Sequence, residues 1–182
     1  MTRPIRIGIS ACLLGKKVRY NGGHKHAPWI AEAFGSCCEL VGICPEVECG
    51  LPIPREALRL ENDPAQPRLV TLETGIDLTE SMLGWCARKV SELEAAGLSG
   101  FILKENSPSC GLSMLGVYQA VGVPVKTGRG LFANALLCHF PLLPVIEGDA
   151  LQEAAVRDDF LERVSGYRHQ QESLLKQQGE IG

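Results

Sequence analysis

Three short apolar runs, Ile5–Ser10, Cys38–Ile43 and Gly100–Leu103, each give way to a polar, turn-forming stretch that carries a cysteine: Cys12, Cys44 and Cys110. The runs are bulky or β-branched and bounded by turn formers, so they read as strands, Gly100–Leu103 as a buried one. Between and after them lie helical patterns. Ala27 to Phe34 has Pro28 in a tolerated first-turn position, and Asp77 to Ala96 places Leu78, Met82, Trp85, Lys89-Val90 and Leu93 on one face. Asp77 or Thr79 can cap that second helix, and Gly97 stands where a C-terminal glycine belongs. Alternation of this kind predicts an α/β fold with a mainly parallel sheet and helices on both faces, a Rossmann-like arrangement. The strand exits of a parallel sheet share one edge, where ligand sites form. The three thiol loops are therefore expected to converge.

The loops themselves are stiff. Asn106-Ser107-Pro108-Ser109-Cys110-Gly111 is a run of turn formers in which Pro108 fixes its own φ and restricts Ser107. Prolines 45, 52 and 54 predict a second rigid loop with no regular helix. Asn21-Gly22-Gly23 folds the chain sharply back after the basic turn at 16–20. Arg59 to Thr71 reads as an excursion or hairpin without legible chemistry. Leu131 to Phe140 is an apolar helix, Pro144 to Glu147 a fourth strand, and Asp149 to about Lys176 a charged helix ending in a glutamine-rich tail expected to fray. The organisation expected is one domain over 1–150 and a helical extension over 151–182.

Eight cysteines in 182 residues is a high count for a chain that is 45% apolar and long enough to build its own core. No apolar run approaches membrane-spanning length and no cationic, apolar leader opens the chain, so a cytoplasmic location is expected. Thiols there stay reduced, and an excess points to metal or catalysis. No Cys-x-x-Cys pair occurs, which leaves a zinc ribbon or thioredoxin-like motif unsupported. Three thiols from three loops form a soft-metal set, suited to an iron–sulfur cluster, copper(I) or zinc. Cys37, Cys38, Cys86 and Cys138 fall at strand or helix positions and read as small core residues. Cys49 is either a fourth ligand or a loop thiol that faces elsewhere. Glu46 and Glu48 can be plain loop carboxylates, but Glu46 lies two residues from Cys44, within reach of whatever that thiol binds. His24 reads as a turn residue, while His139 and His169 sit in helices without a ligand pattern. Gly128-x-Gly130 is too short a signal for a phosphate loop. A net charge of −3 and a pI near 5.8 offer no electrostatic case for nucleic acid.

Taken in order, Ser10-Ala11-Cys12-Leu13-Leu14-Gly15, Arg19-Tyr20-Asn21-Gly22-Gly23-His24-Lys25, Cys44-Pro45-Glu46-Val47, Gly50-Leu51-Pro52, and Lys104 with Ser107-Pro108-Ser109-Cys110-Gly111 resemble the thiouracil desulfurase (desulfidase) family. The resemblance covers about residues 5 to 150, and the helix after it is similar to the start of an extension found in longer, fused relatives. It implies a 4Fe-4S cluster held by Cys12, Cys44 and Cys110, with one iron left open for the sulfur of a thiolated base. It also implies Glu46 as the acid/base and a serine of Ser107-Pro108-Ser109 as the catalytic hydroxyl, Ser107 being favoured over Ser109. Ser109 and Lys104 are expected at the substrate. Cys49 departs from the family's pattern. The reaction so implied is non-redox desulfuration, thiouracil and water giving uracil and hydrosulfide. Two rivals belong to other classes: a sulfur-transfer enzyme that thiolates RNA, and a non-enzymatic iron–sulfur or zinc protein closed by Cys49.

Overall fold

The computed structural model describes residues 4–119 and 122–179. β1 (Ile5–Ser10) lies at the centre of a parallel sheet, between β2 (Cys38–Ile43) and β5 (Gly100–Leu103), with β8 (Val145–Glu147) beyond β5. Helices lie on both faces, and β5 is buried at every position, whereas Arg6 of β1 and Glu39 of β2 pair in the open where those strands begin. On one face Ile7, Ile9 and Ile102 pack against Ile30 and Phe34 of α1 (Pro28–Phe34) and Phe160 and Val164 of α5 (Ala154–Gly179). Phe34 and Phe160 meet edge to face with ring centroids 6.0 Å apart. On the other face Phe101 and Leu103 pack under Trp85 and Val90 of α3 (Thr79–Ala96) and under Phe132 and Leu136 of α4 (Leu131–His139). Phe101 reaches that layer over Gly8, where a β-carbon would stand 2.3 Å from its ring. Each such side chain contributes about 1.5–3 kcal/mol of transfer free energy on full burial.

Asp77 Oδ1 accepts the Thr79 N–H at 2.9 Å, and Gly97 ends α3 at φ +68°. The extended region around 59–71 is more than an excursion. β3 (Leu58–Glu61) and β4 (Arg68–Thr71) form a hairpin, and β3 also pairs in parallel with β6 (Leu115–Tyr118), itself antiparallel to β7 (Val125–Gly128). The resulting second sheet adds Leu60, Leu69, Leu115 and Val117 to the α3/α4 core. It eluded sequence reading because β6 and β7 are four residues long and weakly patterned. The proline-rich segment also needs correction. Pro45–Glu48 is a one-turn helix, α2, with Pro45 at its first position, where the missing N–H costs nothing. The end of the glutamine-rich tail, beyond Gly179, lies outside the described residues. No described helix is long and apolar enough to cross a membrane.

Candidate functional site

β2, β1 and β5 are neighbours running the same way, so their C-terminal ends open on one edge. A cavity of about 470 Å³ occupies that edge, within the range of small-molecule sites. Cys12, Cys44 and Cys110 all line it, one from each strand exit. Cys12 sits in a 3-10 turn (Ala11–Leu14) that closes on Gly15 at φ +84°. Its carbonyl accepts the Lys25 N–H at 3.0 Å, which folds the basic loop back over the cavity. Cys44 precedes α2, and its N–H donates to Glu48 Oε1 at 3.1 Å.

The Cys110 loop is held more tightly. Ser107 Oγ accepts the Cys110 N–H at 3.1 Å, and Ser107 O accepts the Gly111 N–H at 2.7 Å. The first N–H groups of α4 point into the same loop, Leu131 donating to Pro108 O and Phe132 and Ala133 to Ser109 O. Groups that would greet an anion at an open helix start are thus spent on the thiol loop. Gly130 makes this approach possible, since a β-carbon there would meet the Ser109 carbonyl at 2.5 Å. In the Gly128-Arg129-Gly130 sequence, Gly130 therefore serves loop docking, while Gly128 packs β7 closely against Val117 and Leu115 of β6.

Cys12 and Cys110 are buried and Cys44 half-buried. Burial pushes the Cys12 thiol up to about 11, with Cys44 adding to the rise and Lys104 and Arg19 opposing it. Burial likewise pushes Cys110 up to about 12, against hydrogen bonds from the Ser10 and Ser109 hydroxyls, and raises Cys44. Burial thus favours the neutral thiols, and binding a metal is what would draw off their protons. The wall supplies four cationic side chains, Arg19, Lys25, Arg55 and Lys104, against two carboxylates, Glu46 and Glu105. That surplus of positive charge suits three thiolates. Among the described residues no three His, Cys, Asp or Glu side chains converge as ligands of a single ion would. A 4Fe-4S cluster attaches each thiolate to a different iron, so three thiols brought from three loops to one cavity fit it.

Beside the thiols runs a chain of polar contacts. Ser109 Oγ donates to Glu46 Oε1 at 2.9 Å, and Ser107 Oγ lies 3.0 Å from Ser109 Oγ. Both serines line the cavity, Ser107 part-exposed and Ser109 buried. Glu46 Oε2 takes two hydrogen bonds from Arg55, at 2.9 and 2.6 Å. Sequence reading missed Arg55. No periodicity links it to Glu46, and the one clue was that a carboxylate in a cavity needs a countercharge. Lys104 also reaches the wall, its N–H donating to Ser10 Oγ at 2.9 Å and its ammonium held by the Glu105 carboxylate and carbonyl.

The remaining candidates fall elsewhere. Glu48 pairs with Lys89 at 2.8 Å and fastens α2 to α3. Cys37 and Cys38 lie at the opposite end of β2, their sulfurs 3.4 Å apart, Cys38 buried and Cys37 exposed. Cys86 is a core residue, and Cys138 is exposed on α4 rather than in the core. His24 Nδ1 accepts the His26 N–H in the turn, His139 pairs with Glu94, and His169 meets the Ser165 carbonyl. Cys49 is absent from the cavity wall. Its thiol donates to Glu46 O at 3.2 Å, and the residue packs against the α3/α4 core. Cys49→Ser, which can keep that hydrogen bond, is expected to leave metal content and turnover unchanged. Iron analysis of the purified variant checks this, and loss of iron would make Cys49 a ligand.

Comparison with known proteins gives a consistent picture. The family model described as 2-thiouracil desulfurase matches residues 7–148. The uncharacterized protein YbbK of Bacillus subtilis (strain 168) is 30% identical over 135 residues, which span 70% of this chain and 87% of YbbK. A solved structure, that of the 4Fe-4S-dependent thiouracil desulfidase TudS, superposes with a TM-score of 0.68 at 33% identity, covering 84% of this chain and 96% of that one.

Proposed function

The chain belongs to the 2-thiouracil desulfurase family, and from that premise we propose that it is a 4Fe-4S-dependent desulfidase converting 2-thiouracil and water to uracil and hydrosulfide. The observation that carries this reading is the joint placement of three thiols and a Glu46–Ser109–Ser107 chain on one cavity. Cys12, Cys44 and Cys110 would hold the cluster. When bound through three protein thiolates, such a cluster supplies an iron without a protein ligand, a soft Lewis acid that prefers the sulfur of a thiocarbonyl to a carbonyl oxygen.

The chain's own residues handle the water. Ser107, part-exposed on the wall, orients the water that attacks the C–S carbon. A proton leaving that water at Ser107 Oγ passes to Ser109 Oγ and on to Glu46 Oε1, along contacts of 3.0 and 2.9 Å. Glu46 then returns that proton to the sulfur as the C–S bond breaks, so that hydrosulfide leaves, and the second proton of the water is released to solvent as the new carbonyl forms. Ser109 is buried between the other two groups, so it serves this relay, and substrate contact falls to Lys104, which lines the cavity with its ammonium held by Glu105.

Anaerobic purification with iron and sulfide analysis, followed by incubation with 2-thiouracil, tests the reading. About four iron and four sulfide per chain, with uracil and hydrosulfide released in equal amounts, is the expected result. Zinc in place of iron, or iron without conversion, would sink it.

A further inference from the structure

Arg55 stands outside the thiol loops, yet every nitrogen of its guanidinium is hydrogen-bonded within the protein. Its side chain is 6% exposed and that of Glu46 13%. Nε and Nη2 both donate to one carboxylate oxygen, Glu46 Oε2. The rest of the guanidinium is fastened to backbone: Nη2 donates to Val18 O at 2.9 Å and Nη1 to Pro52 O at 3.2 Å. The Arg55 N–H donates to Tyr20 O at 2.8 Å. The planar fork is thus clamped by the basic loop on one side and the proline-rich segment on the other.

A glutamate carboxylate turns readily about its last torsion and can present either oxygen. Here a fork that cannot move saturates Oε2, so Oε1 is the oxygen left to face Ser109. We propose that Arg55 is the positioning residue of this reaction, locking Glu46 so that Oε1 is the oxygen that receives the proton arriving through Ser109. The proposal rests on the desulfidase reading above. Lysine cannot stand in, because an ammonium is a point charge without the planar fork that reaches Glu46, Val18 and Pro52 together.

The test uses the full-length, cluster-loaded protein and the variants Arg55→Met, Arg55→Lys, Glu46→Gln and the Arg55→Met/Glu46→Gln double variant. Arg55→Met is expected to keep wild-type iron and sulfide, to hold KM within about threefold and to lose roughly 10²-fold in kcat, the scale of a misplaced catalytic group. Arg55→Lys should recover less than about a tenth of the lost rate. In the Glu46→Gln background, removing Arg55 should cost under about threefold more, because a residue acting through Glu46 has nothing left to position. Melting temperatures of the same preparations give a readout independent of turnover. Each single change should lower Tm, and the double change should lower it by less than the sum.

Loss of iron in both Arg55 variants would make Arg55 a structural support of the cluster loops. A raised KM at unchanged kcat would make it a substrate ligand. An undiminished rate effect in the Glu46→Gln background, or additive Tm losses, would break the link to Glu46. Any of these overturns the proposal. If loaded wild-type protein does not convert 2-thiouracil, the desulfidase reading falls and takes the positioning role with it. If wild-type protein turns over and Arg55→Met loses nothing, the positioning role falls alone.

Discussion

Cys110→Ala is expected to fold and to bind no cluster. The shape of the Cys110 loop comes from backbone hydrogen bonds, with Ser107 Oγ and O gripping the Cys110 and Gly111 N–H groups and α4 donating to the Pro108 and Ser109 carbonyls. None of these involves the thiol. Removing one small buried sulfur costs about 1 kcal/mol, a fraction of the roughly 5–15 kcal/mol typical of a domain. The loss falls instead on metal binding, because two thiolates and no fourth ligand cannot retain a cluster that a three-thiolate set holds with an open iron. Iron and sulfide should drop to background and turnover should vanish with them. Cys12→Ala and Cys44→Ala should behave alike, whereas Cys37→Ala and Cys138→Ala, both at exposed positions, should load normally. Full iron occupancy in Cys110→Ala would overturn the ligand assignment.

Glu46→Gln separates holding the cluster from using it. The introduced amide fills the same volume as the carboxylate, but it has one acceptor oxygen for both the Arg55 fork and the Ser109 hydroxyl, and it cannot take up a proton. The rate should fall roughly 10²–10⁴-fold, the usual worth of a positioned proton-transfer group, while iron and sulfide stay at wild-type levels. The substitution also leaves the Arg55 guanidinium without its countercharge at a site where the two side chains are 6% and 13% exposed. Breaking a buried pair from one side costs about 3–5 kcal/mol, so a clear fall in Tm should accompany the loss of rate. Wild-type turnover in Glu46→Gln would remove the carboxylate from the mechanism. Glu48 could not inherit the role, being bound to the Cys44 N–H and to Lys89.

Much of this molecule is legible without coordinates. Ile5–Ser10, Cys38–Ile43 and Gly100–Leu103 announce strands because each is a short apolar or β-branched run bounded by turn formers. Their parallel order then brings the ends carrying Cys12, Cys44 and Cys110 to one edge, as the sheet shows. Glu46 could be singled out because two residues from a candidate ligand is a distance the chain alone limits.

Other features had no local signature. α2 forms because Pro45 falls at a helix start, whereas the same proline read alone signals a loop. The second sheet depends on β3 pairing with β6, Leu60 beside Val117, a contact between distant segments that no periodicity encodes. Both serines were candidates from sequence, and the fold places Ser109 between Glu46 and Ser107. Arg55 became visible only once Val18, Pro52 and Glu46 stood around it. Strand pattern and the thiol after each strand are properties of short segments, so the sequence by itself determined the sheet edge and which three thiols gather there. Which carboxylate oxygen faces which hydroxyl, and which cation holds it there, is a matter of side chains meeting from distant segments, and the tertiary structure alone decided it.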